Sequence, residues 1–341
     1  MRFIMQKIKK VLILLGLKAP VKWLRDFYLL LINYIVDANN YYKYSSVFKK
    51  NDSKKKESDM IMAYHSIEKG FLHENIKYGF ARDKVKIIIE ILTGFFNTGV
   101  ELNSQSISAI NVLIEYYDFH KNKKIDISDF FPDDFYEKIL KNKKIGFSPV
   151  QKTNIKNFFE KNNDNFKDFA FSRKSLRDFT GEKVDIGEIE NIISLANTTP
   201  SVCNRQSCKV YLMENKVEIL KVLKIQDGFK GYEKNVSQVL ILTANKNYFF
   251  SIGERNQMYI DGGIYLMNLL YSLHYYKVAA CPANWGKCIS DDKKIRKYIN
   301  IPMNEQIICV IPIGKAQNEI VYANSERRTI AETLVVSSNI V

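Results

Sequence analysis

Ser172-Arg173-Lys174-Ser175-Leu176-Arg177-Asp178-Phe179 and, further on, Thr199-Pro200-Ser201-Val202-Cys203-Asn204-Arg205-Gln206 are the stretches from which the fold of this chain is read. In the first, three cations and a hydroxyl fall within five residues. Such a group can clamp a phosphate, because each guanidinium offers two parallel donors and a serine adds a third on the same side. The same composition also suits a solvated basic loop.

The second stretch follows the expected end of a helix, with Pro200 as a stop. Asn204 and Gln206, two apart on an extended loop, point one way and present both donors and acceptors, as the imide edge of a flavin ring requires. The alternative is an ordinary helix-to-strand loop.

Outward from these stretches the texture is mixed. Short β-branched runs at Lys209–Met213, Val239–Thr243 and Ile307–Ile313 predict strands, and they alternate with helical stretches from residue 166 onward. Asp185 followed by Glu188 reads as a capping box opening a helix through Ile186, Ile189, Ile193 and Ala196. A long helix is expected over Arg255–Tyr276. Its Gly262-Gly263 pair weakens it unless another backbone or a flat ligand comes close.

Before residue 160 the pattern is helical. Val85, Ile88, Ile89, Leu92, Phe95 and Phe96, then Ile107, Ile110, Leu113 and Ile114, recur at three and four. Lys121–Lys161 is rich in Lys, Asn and Asp, and Asn51–Glu57 reads as a solvated connection. Three segments are therefore expected: a basic amphipathic arm (1–56), a helical extension (57–160) and a mixed domain (161–341).

In their order and spacing the two opening stretches resemble the nitroreductase family of flavin-dependent oxidoreductases, over roughly residues 166–335. The resemblance implies an α+β fold, a mixed sheet flanked by helices, here preceded by the mostly helical region. It implies that Arg173, Ser175 and Arg177, with Lys174 beside them, hold the phosphate of FMN. Pro200, Ser201, Asn204 and Gln206 would lie along the flavin, and Arg327-Arg328, followed by Thr329-Ile330-Ala331-Glu332, would close over the phosphate. Ala283 and Asn284, in Ala280-Cys281-Pro282-Ala283-Asn284-Trp285, fall where the family places backbone amides near flavin N5. Two departures stand out: Ser207 replaces the usual proline after the glutamine, and Cys281-Pro282-Ala283 replaces a more glycine-rich stretch. The resemblance further implies a homodimer built on the long helix with Asp261, Gly262 and Gly263. It also implies ping-pong turnover, in which NADH or NADPH reduces the flavin and a small organic acceptor, or oxygen, reoxidises it.

Composition bounds the remaining classes. The 341 residues are 46% hydrophobic and 26% charged, a globular balance too long for a small stapled module. The net charge of +14 is uneven, with 13 basic and 3 acidic residues in positions 1–56. That distribution argues against nucleic-acid wrapping, which needs cations along the whole binding face. The five cysteines and four histidines show no metal-ligand spacing, so no metal is expected, and the odd cysteine count suits a reducing cytoplasm. The apolar runs Val11–Leu17 and Phe27–Val36 are each far short of the roughly 20 residues a span needs. What remains is a basic, aromatic segment with Trp23, Phe27 and Tyr28. It either packs on the body of the protein or lies on an anionic membrane surface as a peripheral contact. The latter would suit a docking protein with a degenerate or merely flavin-binding fold, the alternative to an enzyme.

Ala63-Tyr64-His65-Ser66-Ile67-Glu68-Lys69-Gly70 is similar to segments that precede nitroreductase domains in proteins of bacterial surface-polysaccharide synthesis. His65 and Glu68, three apart on a helix, read either as an acid–base pair or as a local structural contact. No catalytic residue is expected beyond the cofactor.

Overall fold

A computed structural model of the chain describes residues 14, 16–48 and 52–336. The central sheet has five strands, β2 (Cys208–Met213), β3 (Gln238–Asn245), β4 (Ala279–Ala280), β5 (Ala283–Asn284) and β6 (Glu305–Gly314). Its order is β2-β3-β6-β4, with β5 also on β6, and every pairing is antiparallel. The three runs expected as strands are β2, β3 and β6. In β3 and β6 they are almost continuously apolar because both faces are covered, an arrangement in which alternation disappears. Leu240, Leu242, Ile311 and Ile313 pack with helices Ile186–Ala196 and Gln257–Tyr275. Val239, Ile241, Ile307 and Val310 face the other way, against Ile219, Val222 and Phe229.

The amino-terminal half is helical as expected. Helices Ser53–Gly70, Arg82–Thr98, Ser104–Asn122 and Asp133–Leu140 enclose their own core, with Met60, Ile67, Ile88, Leu92, Ile110, Leu113 and Phe131 fully buried. A separate antiparallel pair fastens this half to the chain's end: β1 (Val150–Asn154) lies on β7 (Glu319–Ala323), Val150 opposite Ala323. β1 thus precedes residue 161 yet pairs with a strand of the mixed domain.

Three expectations change. Asn51 lies outside the described residues, but the rest of the supposed connection Asn51–Glu57 is not solvated loop. Asp52 caps a helix by accepting from the amides of Lys54 and Lys55, and Glu57 is already buried. The reciprocal contact expected of Glu188 is missing; Asp185 accepts from the Gly187 amide at 2.9 Å while Glu188 turns to Lys315 at 3.8 Å. The capping box is instead at Thr329 and Glu332. The third change concerns the arm. Most of Val11–Leu17 lies outside the described residues, but Phe27–Val36 sits in helix Lys18–Tyr44, which buries none of its residues. Its least exposed positions are Asp26, Leu30, Asn33 and Asp37, a stripe at spacings of four, three and four. Asp37 on that stripe pairs with Arg255 at 2.6 and 2.8 Å. The helix therefore meets the body through a polar stripe, and Trp23, Phe27, Leu31 and Ile35 stay exposed. Among the described residues no helix is long and apolar enough to cross a membrane.

Candidate functional site

Helix Phe166–Ser172 ends where the Ser172 hydroxyl lies 2.8 Å from Nε2 of buried His274. The chain leaves it extended, with Arg173 at φ −62° and ψ 121°. The Leu176 amide donates to the Ala280 carbonyl at 3.0 Å, and Leu176 and Phe179 are buried as anchors. In an extended segment alternate residues share a side, which explains the spacing of Arg173, Ser175 and Arg177.

These residues open onto a cavity of about 490 Å3, which Lys174, Pro282, Arg327 and Arg328 also line. The helical extension contributes Ile61, Tyr64, His65 and Gln105 to its lining. Six expected phosphate-site residues, 155 positions apart at the extremes, are thereby brought together around one space. Arg173, Lys174 and Arg177 make no side-chain hydrogen bond or ion pair with any described residue. Burial, then the Arg327 charge, holds Arg173 below its ordinary range, and burial followed by Arg327 and Arg173 does the same to Lys174. Lys69 behind them is lowered by burial and then by Arg177. Cations kept close together in a half-dry site repel one another until an anion enters.

Arg328 differs, since Glu57 takes it at 2.8 Å. Burial pushes Glu57 upward, but the bonds from Arg328, Lys54 and Asn103 outweigh it and leave the carboxyl below its usual range. Arg327 donates to the Ser325 carbonyl. Glu332 accepts from the Ser104 amide, and it is drawn down to about 2 chiefly by the Ser104 hydroxyl and then by the Thr329 amide and hydroxyl. The carboxy-terminal segment is thus tied to the helical extension while it borders the cavity.

Pro200, Ser201 and Gln206 line a different cavity, of about 210 Å3, with Asp261 and Tyr265. Cys203, Asn204 and Gln206 all have left-handed backbone, φ 48°, 55° and 47°. Side chains persist there only where surroundings over-determine the conformation. Here the Gln206 amide donates to Ser201 Oγ at 2.9 Å, and Glu254 and the Tyr248 carbonyl hold Arg205. Asn204 borders neither cavity, but its Oδ1 accepts from Gln206 Nε2 at 3.2 Å. Ala283 is buried in β5 and Asn284 is exposed beside it, and neither lines the cationic cavity, which Pro282 does.

The helical wall was only half visible beforehand. His65 Nδ1 lies 2.9 Å from Glu68, whose carboxylate is 1% exposed and also accepts from the Ser325 amide at 3.2 Å. Tyr64 donates to Gln105 at 2.6 Å, and burial pushes its hydroxyl up to about 12. Tyr64 carries no sequence signal beyond its place beside His65, and Gln105 carries none. All five cysteines are free, and among the described residues no group of three potential ligands is arranged to hold a metal ion.

His274 gives a pH test of this region. Burial, then the Arg173 charge, pushes it down from 6.5 to about 4. The unfolded chain therefore takes a proton as the pH falls below 6.5, whereas the folded chain refuses it until about pH 4. Stability should drop through that window by roughly 3 kcal/mol. Urea unfolding at about pH 7 and about pH 4 should show the loss, and His274→Gln should shrink it; an unchanged pH slope in the variant would assign the loss to other groups.

Residues 170–315 match the family model described as "Nitroreductase family". Among solved structures, a nitroreductase-like protein from Streptococcus mutans is 19% identical, with a TM-score of 0.43 over 51% of this chain and 98% of its own. A nitroreductase family protein from Clostridium difficile 630 is 17% identical, with a TM-score of 0.41 over 51% of this chain and 98% of its own. An FMN-dependent nitroreductase from Clostridium difficile R20291 is 16% identical, with a TM-score of 0.40 over 50% of this chain and 97% of its own. No curated protein matches.

Proposed function

We propose that this chain, whose residues 170–315 carry the nitroreductase family match, is an FMN-dependent oxidoreductase that uses NADH or NADPH to reduce a small organic acceptor. The observation that carries the reading is the group of cations without a partner among the described residues, Arg173, Lys174 and Arg177, which line one cavity with Ser175 and Arg327. A phosphate is the ligand such a group fits, by charge and by donor geometry. When bound, FMN supplies the hydride and electron chemistry itself. The chain's part is then to hold the phosphate at Arg173, Ser175 and Arg177, to close over it with the Arg327-Arg328 segment, and to shape the acceptor's access through the helical wall. The test is whether the purified protein is yellow and releases FMN on denaturation. A colourless protein that takes up no added FMN sinks this reading.

The same reading makes the protein a homodimer. Pro200, Ser201 and Gln206 face a cavity apart from the cationic one, and helix Gln257–Tyr275 leaves Gly263, Ile264 and Met267 exposed along one side. Pairing of two copies along that side would cover this apolar surface and bring further walls to each flavin. The free cysteines suit a cytoplasmic setting.

A second reading, membrane docking, is favoured by one observation: the outward apolar face of helix Lys18–Tyr44. Basic residues near an anionic surface contribute about 1 kcal/mol each, screened by salt. Removal of residues 1–51, which spares the Asp52 cap and helix Ser53–Gly70, should therefore abolish cosedimentation with acidic vesicles at low salt while leaving flavin reduction intact. Equal partition of both forms at every salt concentration would eliminate lipid as the surface that covers the helix.

A further inference from the structure

The cationic cavity holds more positive charge than one cofactor phosphate neutralises. Arg173, Lys174, Arg177 and Arg327 line it with no carboxylate partner among the described residues, and the lining acid Glu326 is already engaged by Lys144 at 3.0 Å. A phosphate monoester carries about −1.5 to −2. Roughly two positive charges are left over.

The helical extension's share of the lining supplies an oriented imidazole that lies outside the family match. Glu68 is buried and fixed by the Ser325 amide at 3.2 Å and hydroxyl at 3.4 Å, so its position is set by the turn that leads into Arg327. That carboxylate accepts from His65 Nδ1 at 2.9 Å, which locks the ring. His65 lines the cavity, and its Nε2 makes no hydrogen bond with a described residue. A ring held at Nδ1 by a buried carboxylate presents Nε2 in a fixed direction: as imidazolium that nitrogen donates to an anion, and as neutral imidazole it accepts from an O–H such as that of a monoprotonated phosphate. The His65–Glu68 contact is therefore structural in its bonding and directional in its effect.

We propose that His65, together with Lys174 and Arg327, forms a second anion subsite beside the cofactor phosphate, through which the helical extension selects a reactant bearing a phosphate or a carboxylate. The proposal rests on FMN phosphate occupying the Arg173, Ser175 and Arg177 side of the same cavity. The anionic group belongs either to the acceptor or to the 2′-phosphate of NADPH, and the two differ in what they compete with.

Inorganic phosphate is the probe. Calorimetric titration of the full-length, FMN-loaded protein should show one saturable phosphate per chain, weakened about tenfold or more in His65→Ala and partly retained in His65→Gln, which keeps a donor. Arg327→Gln, at an exposed position, gives a second variant should His65→Ala misfold, and it too should weaken phosphate. Phosphate competing with the acceptor assigns the subsite to the acceptor, whereas competition with NADPH but not NADH assigns it to the nicotinamide. No saturable phosphate on the loaded protein, or equal affinity in wild type and both His65→Ala and Arg327→Gln, overturns the subsite. Should the protein take up no FMN, the cofactor reading fails separately. The FMN-free chain must then bind two phosphates, one of them sensitive to His65, for the subsite to stand; a single, insensitive one overturns it.

Discussion

Arg173→Ala is expected to lower the affinity for FMN by roughly tenfold to a hundredfold, the equivalent of about 1.5 to 3 kcal/mol for a hydrogen bond to a charged group. The size follows from where the guanidinium sits. It is half-buried, lines the cavity and has no partner among the described residues, so its donors are unspent until an anion arrives. The same fact separates binding from folding. Arg173 is held below its ordinary range by burial and by Arg327, so its removal relieves repulsion in the empty protein. The FMN-free variant should melt no lower than wild type while dialysis equilibrium shows the loss of cofactor. If the variant retains FMN as tightly as wild type, the phosphate lies elsewhere.

The spacing of that cluster was legible because it is a local property. An extended backbone puts residues 173, 175 and 177 on one side, and the buried anchors Leu176 and Phe179 are visible as apolar letters between polar ones. The strands were legible for a similar reason, since runs such as Val239–Thr243 are apolar on both faces. The helical wall was not. Glu68 and Ser325 are 257 positions apart, and nothing in either residue announces the other. Nor could periodicity tell which side of helix Lys18–Tyr44 meets the body. The apolar face was the natural candidate, but one ion pair, Asp37 with Arg255, turns the polar stripe inward. The left-handed conformations of Cys203 and Gln206 were equally hidden, because neither residue type favours them and only their tertiary partners impose them.

The paired glycines of helix Gln257–Tyr275 looked equivalent as letters, yet they differ sharply in space. A Cβ on Gly262 would come within 2.8 Å of Ile308 on β6, so that glycine serves packing within the subunit. A Cβ on Gly263 meets nothing within 4 Å. Gly263→Leu therefore gives opposite results in the two possible assemblies. In an isolated subunit it removes a helix-interior glycine from an open face, which stabilises the helix by up to about 1 kcal/mol. In a dimer packed along Gly263, Ile264 and Met267 it overfills the contact at a cost of about 1 to 3 kcal/mol. Two-fold symmetry applies that cost once for each copy, so the dimer dissociation constant should rise at least tenfold. Bound FMN should fall in parallel, because the Pro200, Ser201 and Gln206 cavity would lose its partner copy. Sedimentation velocity with flavin absorbance reads both quantities in one run. A fully loaded monomer, or a variant that melts higher with its assembly and FMN unchanged, would place the exposed face of this helix outside any subunit contact.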